Sequence, residues 1–393
     1  MGAMQSSLDE SQLDSILASG TTESAFLQAV LDDDVPRLKD MVRTMDEEYR
    51  AELADMVLIE GCGLLELASY LAQMEVCKYL VEELGFDVNG GGFRGGPAPL
   101  GGAALSGEFV AARYLLDHGA DPNKIVGSSL AALHCAAKNG NEAIVRLLLS
   151  RGARVDIASV YGTPLQTAAS YGNTGALKIL LDHHADPNGV SEARGTPITA
   201  ALDSTKHGLS ESDSLDCIKL LVKAGADVNS ANPHTPLVVA IMYGLADCIK
   251  YLLEVGADPN IPDKQRGLMP IQIAASFGKR SLVKILFPFT SPIRAVANWS
   301  VEGIITHEKS RCPIPKEQRN KTMDKIAELK SEGEKAVKRK DYLGASKLYS
   351  EAFEIDNCDA TLYSNRSFCY VQIGKAQKAL LDADVCLQDD PTG

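Results

Sequence analysis

Six segments of this sequence, LVEELGFDVN, LLDHGADPN, LLSRGARVD, LLDHHADPN, LVKAGADVN and LLEVGADPN, are copies of one phrase. They end at Asn89, Asn123, Asp156, Asn188, Asn229 and Asn260, at intervals of 34, 33, 32, 41 and 31 residues. A second phrase runs in phase with the first. It reads Ala98-Pro99-Leu100-Gly101, Ala132-Leu133-His134, Thr163-Pro164-Leu165-Gln166, Thr196-Pro197-Ile198-Thr199, Thr235-Pro236-Leu237-Val238 and Met269-Pro270-Ile271-Gln272. A fixed period of this length specifies a stack of like units. Proline at the first turn of a helix sacrifices no hydrogen bond, and threonine before it caps the free amides, so each Thr-Pro starts a helix. In NEAIVRLLLSRGA the residues Ile144, Val145, Leu147, Leu148 and Leu149 form an apolar stripe at helical spacing, which Gly152 ends in the left-handed conformation. A helix pair this short has too little core to stand alone, so neighbours must cover one another. Two weaker copies, SAFLQAVLDDDVPRLKDMV and LLELASYLAQMEVCKYLV, bring the expected array to about eight units over residues 21–290.

These phrases resemble the ankyrin repeat. Gly90, Gly92 and Gly95 also spell a dinucleotide-binding fingerprint, which requires a strand before the glycines and a helix after them. What precedes them is the helical segment EVCKYLVEEL, and they begin right after Asn89, where sister units place an inter-repeat hairpin. The hairpin reading is therefore preferred, and no cofactor is expected.

With 393 residues, the chain exceeds one compact core. No apolar run approaches a membrane span, and residues 1–20, acidic and expected to be disordered, do not resemble a secretory signal. Nine scattered cysteines without a Cys-x-x-Cys read as reduced, buried residues, which suits a cytosolic or nuclear protein. The net charge is −13, with 14 acids against 4 bases in residues 1–60 and 11 bases against 5 acids in 309–340. An acidic chain without base-stacking aromatics among its cations is no nucleic-acid binder. His183-His184 lacks a third ligand at useful spacing, so no metal is expected. His184 occupies the place of Gly119, Gly152, Gly225 and Gly256, and a left-handed histidine is expected there. No nucleophile, base and orienting group recur together, so no catalytic residue is expected and the chain is read as non-enzymatic.

A solenoid holds protein partners along its concave face and loop tips. Six residues beyond the leucine or isoleucine of each Thr-Pro-Leu element stand Ser106, Asn139, Tyr171, Ser204, Tyr243 and Phe277. Aromatic residues anchor interfaces, which makes Tyr171, Tyr243 and Phe277 the candidate partner contacts on the concave face. Such rings also occur simply to cap a helix pair. The interval of 41 places about eight extra residues in STKHGLSESDS, 204–214, expected to be a flexible loop with Ser210 and Ser212 as candidate phosphorylation sites.

After Leu286 the pattern changes, and residues 291–322 read as a linker carrying one short docking helix. Two 34-residue copies follow, IAELKSEGEKAVKRKDYLGASKLYSEAFEIDNCD and ATLYSNRSFCYVQIGKAQKALLDADVCLQDDPTG, within an expected module at 323–393. Gly333, Ala345 and Ala352 in the first, and Ser367, Ala379 and Cys386 in the second, with Tyr349, Tyr370 and Pro391, resemble the tetratricopeptide repeat. The expected fold is thus an all-α repeat solenoid, an ankyrin array followed by two tetratricopeptide repeats. The order of modules and the ANWSVEGII linker resemble the plant ankyrin–tetratricopeptide fusion proteins.

Tetratricopeptide domains with LYSNRS in the second repeat often clamp the Glu-Glu-Val-Asp tails of the seventy- and ninety-kilodalton heat-shock chaperones. That resemblance implies that Lys330 meets a tail carboxylate and that Asn365 donates an amide hydrogen bond to one. Glu334 stands where the clamp usually has asparagine, and the clamp's remaining basic residues come from a third repeat. Gly393 closes the second, so this chain is expected to be truncated and to hold half a clamp. The expectation is an adaptor that joins a partner of the array to a chaperone or a similar peptide, with a scaffold whose second module is purely structural as the alternative.

Overall fold

The structure is a computed structural model that describes residues 21–46, 53, 63–90, 98–125, 130–191, 194–311, 316–355 and 360–375. The described residues are helical. The only β-type pairings among them are the isolated bridges Ser159 to Gly162 and Ser191 to Gly195. The chain divides into two compact units, one to Val301 and one from Glu302.

In the first unit the described helices run in eight antiparallel pairs. They are α1 (Thr22–Leu31) with α2 (Val35–Thr44), α3 (Leu64–Tyr70) with α4 (Met74–Lys78), α5 (Pro99–Ser106) with α6 (Phe109–Asp117), and α7 (Ala132–Asn139) with α8 (Glu142–Ser150). They continue as α9 (Pro164–Ser170) with α10 (Thr174–Asp182), α11 (Pro197–Leu202) with α12 (Glu211–Lys223), α13 (Pro236–Tyr243) with α14 (Ala246–Glu254), and α15 (Pro270–Ser276) with α16 (Arg280–Leu286). The first helix of each pair from α3 onward packs on the first helices of its neighbours, and from α6 onward the second helices form a parallel outer row. Alanine pairs make the inner row close: Ala103-Ala104, Ala136-Ala137, Ala168-Ala169, Ala200-Ala201 and Ala274-Ala275 are all fully buried. Both faces of an inner helix are covered, which is why every residue of α9 from Pro164 to Ser170 is buried.

The local signals do what their chemistry requires. Thr163, Thr196 and Thr235 accept the amides of Gln166, Thr199 and Val238, with proline in the first turn each time. At the far end of the outer helices, Ala120, Ala153, Ala226 and Ala257 donate back to Leu115, Leu148, Leu221 and Leu252 across left-handed Gly119, Gly152, Gly225 and Gly256. His184 adopts the same left-handed conformation, φ +64°.

Two length irregularities are absorbed differently. From the buried leucine to the closing glycine, the unit of α4 has one residue more than its sisters, Leu80 to Gly85 against Leu115 to Gly119. The helix takes up the extra residue as a π turn, Tyr79–Glu83, in which Leu84 N–H reaches back to the Tyr79 carbonyl at 3.1 Å. Leu80 therefore stays in the core, and Gly85 keeps its left-handed place at φ +72°.

The insertion at 204–214, by contrast, corrects the expectation of a flexible loop. It forms a 3₁₀ turn, Asp203–His207, and then lengthens α12 to 13 residues. Ser204 and Ser214 are buried and share a 2.7 Å hydrogen bond. Ser210 caps α12 and donates its hydroxyl to Asp213 at 2.8 Å, so it is engaged in a capping box rather than presented on a loose strand. Glu211 reaches the next unit, where its carboxylate accepts the amides of Asp247 and Cys248 at 2.7 and 3.0 Å.

The hairpins are tied to one another by asparagine. Asn89, Asn123, Asn188 and Asn229 each donate to the carbonyl of the glycine ending the next unit's outer helix, at 3.0 to 3.1 Å. The same four side chains accept the amides of Asp121, Arg154, Asp227 and Asp258 at 2.7 to 2.8 Å. Asp156 makes only the second half of this bridge, accepting from Asp186 at 3.1 Å. A carboxylate has no amide to offer His184.

In the second unit, α17 (Val301–Arg311), α18 (Lys316–Lys338), α19 (Tyr342–Ile355) and α20 (Ala360–Gln372) follow. Leu329, Ala345, Tyr349, Ala352, Leu362 and Cys369 form the core of the last three. Gly333 is required by close approach, since a β-carbon there would lie 2.7 Å from the ring of Tyr349. Ala379, Cys386 and Pro391 lie outside the described residues.

Candidate functional site

The glycine-rich stretch is flanked by helices, α4 with its π turn before and α5 after, and Asn89 to Gly90 close a turn on Asp87 at 2.9 Å. A phosphate cradle needs a preceding strand, which these elements do not supply. Gly92 and Gly95 lie outside the described residues. His134 is fully buried: its Nε2 donates to the Gly162 carbonyl at 3.0 Å while Nδ1 accepts the Ala131 amide at 3.3 Å. Both ring nitrogens are spent, Nε2 on the next hairpin and Nδ1 on the start of its own helix, and burial pushes the imidazole pKa down. Gln166 does the same work one unit later, donating to the Gly189 and Gly195 carbonyls and accepting the Thr163 amide.

Five cysteines fall on described side chains, Cys77, Cys135, Cys217, Cys248 and Cys369, and all are buried free thiols. Burial pushes Cys77 and Cys135 up to about 11, and Cys217 and Cys248 up to about 12, so none is a nucleophile at neutral pH. No cluster of metal-ligating side chains occurs among the described residues.

The three aromatic candidates all sit where an inner helix ends. Tyr171 follows α9, Tyr243 closes α13 and Phe277 follows α15, each half-buried. Their environments differ. Tyr171 carries two cations on its ring, Lys138 Nζ at 5.4 Å and Arg194 Cζ at 5.9 Å from the centroid. Tyr243 donates its hydroxyl to Asp203 at 2.6 Å. Phe277 has the Arg266 guanidinium 5.9 Å from its centroid. Arg266 belongs to a hairpin fastened by buried Asp263, which accepts the Arg266 amide at 2.9 Å and the Nδ1 hydrogen of His234. The other residues in this register are taken up inside the array. Ser204 is buried, Ser106 bonds back to its own helix, and Asn139 donates to Leu105 in the preceding unit.

Sequence reasoning missed Lys138, Arg194 and Arg266. Lys138 stands one residue before a position already singled out, but Arg194 and Arg266 lie on hairpins, and only the stacking of units brings them to the rings.

In the second unit, Glu334, Val337, Lys338, Tyr349, Asn365 and Phe368 line a groove of about 260 Å³. Asn365 is thus placed on the groove with Glu334, while Lys330, half-buried on the same helix, is not part of its lining. Glu334 has no ion pair among the described residues, and burial, with the charges of Cys369 and Glu334, pushes the Tyr349 phenol up to about 12.

The family model for ankyrin repeats in three copies matches residues 125–191 and 207–295, stretches that contain α7 to α10 and α12 to α16. These two stretches match ankyrin repeats, a fold whose ordinary work is to bind proteins. Among curated proteins, the sequence is 40% identical over 62 residues to sperm-associated antigen 1 of Rattus norvegicus, covering 16% of this chain and 7% of that protein. It is 38% identical over 65 residues to Hsp70-Hsp90 organizing protein 1 of Glycine max, covering 16% of this chain and 11% of that one. The matches therefore span about a tenth of these relatives' lengths. Among solved structures, the human ASB11 ankyrin repeat domain is 25% identical, with 55% of this chain and 99% of that one covered and a TM-score of 0.44. No helix among the described residues is long and apolar enough to cross a membrane.

Proposed function

We propose that this protein is a non-catalytic adaptor of the cytosol or nucleus, whose ankyrin array docks one protein while its C-terminal module recruits another. The observation that carries the reading is the row of half-buried rings at Tyr171, Tyr243 and Phe277, each at the end of an inner helix and each coupled to a charged group. Rings already fixed by neighbours lose little entropy on docking, and aromatic and arginine side chains dominate protein interfaces. The triple variant Tyr171→Ala, Tyr243→Ala and Phe277→Ala should lose the proteins captured by the wild-type array while keeping its helical content. Capture unchanged by the triple substitution refutes this placement of the site.

For the C-terminal module, the repeat pattern of small residues and the partial match to a chaperone organizing protein support a tetratricopeptide fold and a role with heat-shock chaperone tails. Lys330 and Asn365 are its proposed carboxylate contacts, and Glu334 in the groove repels an acidic tail. This chain is accordingly expected to bind a Glu-Glu-Val-Asp pentapeptide more weakly than micromolar by calorimetry. Micromolar binding refutes the half-clamp reading. In a version carrying the complete clamp, loss of chaperone co-purification on Lys330→Ala separates a clamp from a purely structural module.

A further inference from the structure

Resting on the reading that the inner row docks a protein, we propose that the partner presents an acidic segment, and that Tyr171, Lys138 and Arg194 receive one anionic side chain of it. The chain has a net charge of −13, and many of its cations are matched by nearby carboxylates. Lys39 pairs with Glu83, Lys78 with Glu75, Arg151 with Asp117, Lys219 with Asp216 and Lys250 with Asp247, all at 2.7 to 3.1 Å. Lys138 and Arg194 are among the cations that make no such pair. Both are half-buried, both lie on the Tyr171 ring, and neither has a carboxylate within 4.0 Å among the described residues.

Two like charges gathered on one ring repel each other, and an anion seated beside them relieves that repulsion as well as pairing with both. A guanidinium and an ammonium supply complementary donors, one a planar fork and the other a mobile point charge, which suits a carboxylate or a phosphate group. The two cations come from different units, Lys138 at the end of α7 and Arg194 from the hairpin before α11, so the receptor exists only when three successive units are stacked. The acidic remainder of the molecule opposes the approach of an acidic partner, so recognition depends on this local pair and weakens with added salt.

The test is an NMR titration of the full chain, following the Arg194 Nε–H and Tyr171 ring signals. The probes are acetylated hexaglutamate, a phosphoserine-containing hexapeptide of otherwise neutral residues, and hexaglutamine. The expected result is saturable shifts with an anionic peptide, none with hexaglutamine, and at least tenfold weaker binding by the Lys138→Gln, Arg194→Gln double variant. The stronger of the two anionic probes identifies carboxylate or phosphate as the group received. No shift with either, or equal binding by the double variant, overturns the proposal. A protein lost by the triple alanine variant but kept by the double glutamine variant leaves the docking reading intact and removes the acidic partner.

Discussion

Asparagine at position 156 should make this array more stable. In four junctions an asparagine both gives an amide hydrogen to the end of the next unit's outer helix and accepts one from the turn that follows it, whereas Asp156 only accepts. Asp156→Asn restores a hydrogen bond to the His184 carbonyl, worth about 0.5–1.5 kcal/mol. That corresponds to a rise in Tm of about 2–4 °C per kcal/mol for a domain of this size. Burial, and then the charge of Asp186, hold the Asp156 pKa above its ordinary 3.8, against the lowering effect of the Asp186 amide. A carboxyl whose folded pKa is raised contributes stability that is complete below 3.8 and is lost as pH rises through the folded value. The protonated acid also regains a donor. The advantage of the variant is therefore greatest at neutral pH and shrinks as pH falls through the folded pKa toward 3.8, as urea unfolding at about pH 7 and about pH 3.5 will read. A variant no more stable than wild type at pH 7, or one whose margin widens in acid, refutes the reasoning.

His184→Gly should stabilise by up to about 1 kcal/mol, because glycine carries no penalty at φ +64°, and a lower Tm contradicts it. Gly333→Ala drives a methyl into the Tyr349 ring and should cost about 1–3 kcal/mol, read as a fall in the melting temperature of the C-terminal unit. His134 has a folded pKa below its unfolded 6.5, so its contribution is complete above 6.5 and is lost as pH falls toward the folded value. His134→Gln keeps both hydrogen bonds, as Gln166 does, and should flatten the loss of stability between pH 7 and pH 5; an unchanged slope assigns that loss elsewhere.

The helix pairs were legible because their information is local. Thr163-Pro164 carries its own start signal, and Gly152 its own stop, so no distant residue was needed to place α8 or α9. The rings at Tyr171, Tyr243 and Phe277 were legible for a related reason, since the period itself exposes a departure at one register. Their charged neighbours were not. Arg194 reaches Tyr171 from a hairpin, and its register has no repeated residue type that would mark it. The insertion at 204–214 misled for a different reason: its serines look like loop residues, yet Ser210 is a helix cap and Ser204 and Ser214 satisfy one another in the core. Polar residues at a buried junction carry no signature in a hydrophobicity pattern.

The π turn at Tyr79–Glu83 gives this kind of architecture a vernier. One surplus residue is spent within five positions, and the frame downstream stays in phase without a shift of the junctions on either side. A stacked protein with such a device tolerates a single added residue inside a helix, a change that would otherwise rotate the rest of that helix off the core.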